Sequence, residues 1–76
     1  MTHMFKAGQN IKLVFHNNAV IYVPLTNDAQ ARQLENDIKQ QATALHTIEA
    51  DYGDTSEVFL NFAMLIRASV YSETEI

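Results

Sequence analysis

The stretch from Ser56 to Ser72, SEVFLNFAMLIRASVYS, constrains the fold more than any other part of the chain. Read as a helix, it makes about four and a half turns. At 100° per residue, Leu65, Val58, Phe62, Ile66, Phe59, Val70 and Ala63 form one broad apolar stripe, interrupted by Ser69. Leu60, Tyr71 and Met64 form a second, narrower stripe. Arg67 borders that second stripe on one side, and Asn61 and Ser72 border it on the other. A helix that is apolar nearly all round must be covered nearly all round. A chain of 76 residues has little material to do this, so the helix reading implies a partner, most simply a second copy. The residues assigned to that interface are Val58, Phe59, Leu60, Phe62, Met64, Leu65, Ile66, Arg67 and Tyr71.

Small domains are commonly stapled by disulfides, metals or oligomerisation. There is no cysteine, which excludes disulfides and thiolate metal sites and favours a reducing cytoplasm. No apolar run approaches the ~20 residues that cross a bilayer, and the N-terminus has no signal-peptide pattern. The net charge of −4 is uneven: residues 1–48 carry four basic and three acidic groups, and residues 49–76 carry one basic and six acidic groups. Nucleic-acid binding and binding to an anionic membrane both rely on clustered cations, and the five Lys and Arg do not cluster.

Residues 1–9 read as a flexible tail. Ile11–Phe15 and Ala19–Val23 read as two strands, residues 11–23 forming a hairpin around Asn17-Asn18. A two-residue turn there pairs Phe15 with Val20 and Leu13 with Tyr22, and a three- or four-residue turn changes the register. In the two-residue register one face carries Ile11, Leu13, Phe15, Val20 and Tyr22, and the other carries Val14, Ile21 and Val23. Pro24 ends the second strand. Asn27 with Gln30 three residues on fits a capping box, and a helix is predicted over 27–52. Leu34, Ile38, Leu45, Ile48 and Tyr52 give it an apolar seam, with Gln41 filling the missing step. Gly53 reads as its stop, and Asp54 or Ser56 as the cap of a second helix over 55–72.

No constellation carries catalytic chemistry. His3, His16 and His46 lack a second metal ligand at helical spacing, and they read as surface or rim histidines. Asp51-Tyr52-Gly53-Asp54-Thr55-Ser56-Glu57 departs from a calcium loop and is explained by a helix stop followed by a cap. Ser56 and Ser69 lie in no nucleophile motif. Arg67, the only cation after Lys39, reads either as a snorkelling or ion-paired side chain, with Glu57 or Asp54 the nearest acids, or as an anchor in a partner contact. Tyr22, Tyr52 and Tyr71 read as half-buried aromatics. The catalytic, cofactor and metal sets are therefore empty, and an enzyme is not expected.

The order of these elements resembles the ZapA family of cell-division proteins. IKLVFHNNAVIYVP is similar to that family's opening hairpin and its proline-containing turn. Leu34, Ile38, Ala42 and Leu45 fall where the seam of its first helix would be, and SEVFLNFAMLIRASVYSE resembles the start of its second helix. The family's small-small-Leu-Asn signature is matched only loosely by Ala63-Met64-Leu65, and its coiled-coil extension is missing. The resemblance implies a scaffold or regulator that acts on filaments of the tubulin-like division protein.

The sequence thus predicts one α+β domain, ββαα, forming a homodimer through its last helix. Its expected role is a non-catalytic protein-interaction module. The alternatives are a small phage-type inhibitor of a host enzyme or defence complex, steered by its acidic half, and a dimer that sequesters a small molecule.

Overall fold

The computed structural model describes residues 3–50 and 54–71. The elements run β1 (Asn10–Phe15), β2 (Val20–Pro24), α1 (Asp28–Gln40), β3 (Thr43–Glu49), β4 (Thr55–Asn61), a single 3-10 turn (Phe62–Met64) and β5 (Leu65–Tyr71). Strands β2-β1-β5 form one antiparallel sheet, and β3-β4 form a second. The architecture is therefore mostly β with one helix, and the expected ββαα arrangement is overturned.

The largest correction falls on residues 55–72. Their described part is strand, 3-10 turn and strand rather than helix. Val58, Phe59, Ile66, Val70 and Tyr71 are β-branched or aromatic, the types that fit a pleated, half-buried surface. Burial alternates through the first strand and turn: Phe59 is exposed, Leu60 buried, Asn61 exposed and Phe62 buried. A two-residue period projected at 100° scatters apolar residues around the whole circle, which is why the segment mimics a helix that is apolar on every side. The second helix that carries the ZapA resemblance is accordingly absent from the described residues.

The hairpin forms, but its register differs from the two-residue expectation. Leu13 faces Ile21 and Val14 faces Val20. The Phe15 N–H donates to the Ala19 carbonyl at 3.0 Å, so His16, Asn17 and Asn18 make a three-residue turn. Asn18 takes the left-handed conformation (φ 66°) that such a turn needs. A one-residue slip sends every β2 side chain to the other face. Ile21 and Val23 therefore point inward with Ile11 and Leu13, while Val20 and Tyr22 point outward with Val14 and Lys12. On the far side of β1, β5 covers the open edge, running from Asn10 opposite Tyr71 to Phe15 opposite Leu65, with a bulge near Ile66.

Helix α1 starts as its sequence predicts and ends 12 residues earlier than expected, at Gln40 rather than Tyr52. The Asn27 side chain accepts from the Gln30 N–H at 2.9 Å, and the Gln30 side chain accepts from the Thr26 N–H at 2.7 Å. Gln41 stops the helix in a left-handed conformation (φ 53°), and its N–H bonds back to Asp37 and Ile38. Thr43–Glu49 then runs as β3 against β4, with Leu45 opposite Phe59 and His46 opposite Val58. Leu45 and Ile48, expected on one helical seam, lie on opposite faces of this strand. Tyr52 and Gly53, read as the helix end and its stop, lie outside the described residues.

The core gathers Ile11, Leu13, Phe15 and Val23 from the first sheet, Ala31 and Leu34 from α1, and Leu60 and Phe62 from the β4 end. Phe5 joins it, so the segment expected as a flexible tail straps across the helix. The Met4 N–H donates to the Glu35 carboxylate at 2.6 Å, and Arg32 donates to the Phe5 carbonyl. Gly8, at φ 90°, turns the chain so that its N–H reaches the Leu25 carbonyl at 2.7 Å. The Met4 N–H holds the Glu35 carboxyl below its ordinary value of 4.5; burial opposes this, and His3 and Lys39 reinforce it.

Two outcomes follow. Phe62→Ala is expected to cost about 3–5 kcal/mol in urea unfolding, and Phe59→Ala no more than ~0.5 kcal/mol; equal costs would contradict the strand alternation. The lowered carboxyl of Glu35 contributes stability that is complete above pH 4.5 and is lost as pH falls below it. Glu35→Gln should therefore flatten the acid limb of a stability-against-pH curve and leave the curve's shape near pH 7 unaltered.

Candidate functional site

The tip of the β1–β2 hairpin stands beside the end of β4, and a groove of about 540 Å³ runs between them. Phe15, Ala19 and Ile21 form one wall. Phe59, Leu60 and Met64 form the other. His16, Asn17 and Asn61 supply a polar rim. The 3-10 turn holds the two sides together: the His16 N–H donates to the Met64 carbonyl at 2.9 Å, and the Phe62 N–H donates to the Ala42 carbonyl at 2.9 Å. Asn17 and Asn61 each accept from a backbone N–H two residues on, Ala19 at 3.0 Å and Ala63 at 3.1 Å, so their side-chain carbonyls serve the turns.

Phe59 is 73% exposed, the largest exposure of any bulky apolar side chain among the described residues. Its cross-strand neighbour Leu45 is 48% exposed. Both lie on the outer face of the β3–β4 hairpin, with Thr47, Glu57 and Glu49 further along. That face carries two acids and no Lys or Arg among its described residues.

The nine residues expected at an interface are divided by the fold. Leu60 and Phe62 are core, and Val58 and Leu65 are half-buried against it. Phe59, Met64 and Ile66 remain open. Arg67 is exposed on the outer face of the first sheet, opposite Val14 on β1. It makes no ion pair among the described residues. Tyr71 shares that outer face, its ring centroid 4.9 Å from that of Tyr22. One helical stripe cannot become two strand faces without this division.

His46 departs from its expected place at the surface or rim. It is buried, with Nε2 2.7 Å from Asp37 Oδ2. Gln33 donates to both Asp37 oxygens, at 3.1 and 3.0 Å. The ring meets the edge of Phe62 with centroids 5.4 Å apart. A carboxylate that orients an imidazole also occurs in catalytic sites, where a nucleophile completes the set. Here the only hydrogen bond of the His46 ring among the described residues is to Asp37. The pair therefore joins α1 to β3 across a buried interface. Asp37 lies nine residues before His46, a separation with no helical or strand meaning, so sequence spacing offered no signal for it.

His16 stands at the groove rim, and His3 Nδ1 lies 3.3 Å from Glu35. Among the described residues, no group of three or more His, Cys, Asp or Glu comes together as metal ligands. No described helix is long and apolar enough to cross a membrane. No protein-family model, no curated protein and no solved structure matches the chain.

Removing either member of the buried pair strands the other. His46→Ala and Asp37→Ala should each lower unfolding free energy by about 1–3 kcal/mol. A double-mutant cycle should return a coupling of about 1 kcal/mol or more, and additive losses would show that the contact carries no energy of its own.

Proposed function

We propose that this protein is a non-catalytic protein-binding module whose contact site is the groove beside Phe59. The observation that carries this reading is Phe59 itself, held 73% exposed on the β3–β4 strand pair at the mouth of an apolar groove. Burying a large aromatic side chain is worth several kcal/mol to whatever covers it, and such residues dominate binding hot spots. The ligand class follows from the surroundings. An aromatic or long aliphatic side chain fills the groove, and a basic flank meets Glu57 and Glu49 on the same hairpin face. A small apolar molecule is the second reading, because about 540 Å³ lies within the range of small-ligand sites.

Selection of a displayed random-peptide library on the immobilised protein tests the first reading. Enriched peptides are expected to combine one aromatic or aliphatic anchor with neighbouring Lys or Arg. Their affinity should fall at least ~10-fold on Phe59→Ala. It should also weaken with rising salt. Peptides that bind Phe59→Ala as well as the parent protein, or a library with no enrichment, would refute it.

A further inference from the structure

We infer, resting on the protein-binding reading, that the Phe59 site takes a second copy of this chain, docked through the outer face of that copy's β2-β1-β5 sheet. Lys12 and Arg67 lie far apart in the sequence, yet the pairing of β1 with β5 makes them diagonal neighbours on this outer face. Tyr22 sits beside Lys12 on β2, and its ring meets that of Tyr71 with centroids 4.9 Å apart. The face holds these two cations and no Asp or Glu among its described residues. It is open to water, with Arg67 exposed, Val20 46% exposed and Tyr71 36% exposed.

The outer face of the β3–β4 hairpin is the counterpart. Glu57 and Glu49 are diagonal neighbours there, as Lys12 and Arg67 are on the sheet. Phe59 follows Glu57 on the same face, two residues along β4. Each face therefore sets an aromatic group beside the first of two diagonal charges, and the signs are opposite. Docking brings Phe59 of one copy onto the Tyr22–Tyr71 pair of the next, with Glu57 meeting Lys12 and Glu49 meeting Arg67. None of these four charges is in an ion pair among the described residues, so docking breaks no internal contact. Aromatic burial supplies the affinity, and the exposed charges, individually weak, set the orientation. Like faces repel, since two sheet faces oppose cations and two hairpin faces oppose acids. The contact is accordingly heterologous, and copies join head to tail. A few side chains on each face stay below the roughly 800 Å² per partner of a standard interface, so the contact is weak, dissociating at about 10–1,000 μM.

Sedimentation equilibrium between about 5 μM and 1 mM should show the average mass rising with concentration at about 0.1 M salt, and rising less at about 0.5 M. Arg67→Glu disables the sheet face and Phe59→Ala the hairpin face; both positions are exposed, so the core is untouched. Each variant alone should associate at least ~5-fold more weakly than the parent protein. Mixed, the two should recover the parent affinity, because each keeps the face the other lacks, and growth should stop at one mixed dimer. A monomer at every concentration, a variant that associates like the parent, or a mixture as weak as its components would each overturn the inference. Peptides that enrich on the Phe59 groove of a chain that stays monomeric would overturn it while leaving the protein-binding reading intact.

Discussion

The fold depends on β1 having a strand on each side. A two-stranded hairpin is marginal in water, because neither its faces nor its edges are covered. Strand β5, from the other end of the chain, supplies the third strand, and β1 becomes central, with Ile11 and Leu13 fully buried. This pairing spans nearly the whole described sequence, from Asn10 to Tyr71. It closes the longest loop in the fold, and the helix and second hairpin are held inside that loop. A long-range pairing of this kind is costly in chain entropy until the contacts it brings are made. Phe62, just before β5, touches both halves of the core: its ring lies 6.2 Å from that of Phe15 and 5.4 Å from that of His46.

The two sheets meet directly where β2 lies against β3, and helix α1 packs on the core they share. Its apolar side, Ala31 and Leu34, faces the core. Its polar side chains secure the elements beside it. Glu35 and Arg32 hold the N-terminal strap, while Asp37, steadied by Gln33, holds β3 through His46. Buried polar groups are costly unless partnered, so these contacts fix where the strap and the second hairpin sit more sharply than apolar packing does. The surface left over is uneven. Aromatic and aliphatic groups collect at the mouth of the groove and along the β5 edge, and the acids of β3 and β4 lie beside the first of these.

Some of this was legible in the residues. The alternation in Ile11–Phe15 and the turn residues Asn17-Asn18 marked the hairpin, and Asn27 with Gln30 marked the start of the helix. Each is a local signal, set by side chains and backbone groups within a few residues. The exposed position of Phe59 was not legible. Phe59 and Phe62 look alike in composition and fall on one stripe of a helical projection, yet one is open and the other buried. The register of β2 was not legible either, because two- and three-residue turns suit the same Asn-Asn sequence and only core packing chooses the face.

By itself, the sequence determined the absence of cysteine chemistry, the hairpin and its proline end, the helix cap, and an acid-rich second half. Tertiary structure decided that residues 55–61 and 65–71 are strands, that the helix stops at Gln40, and that His46 is buried on Asp37. The physical reason is the reach of the interactions. A cap or a turn is satisfied by its own neighbours, whereas a strand's backbone groups are satisfied only by another strand. For β5 that strand lies fifty or more residues back along the chain, where no periodicity within its own segment registers it.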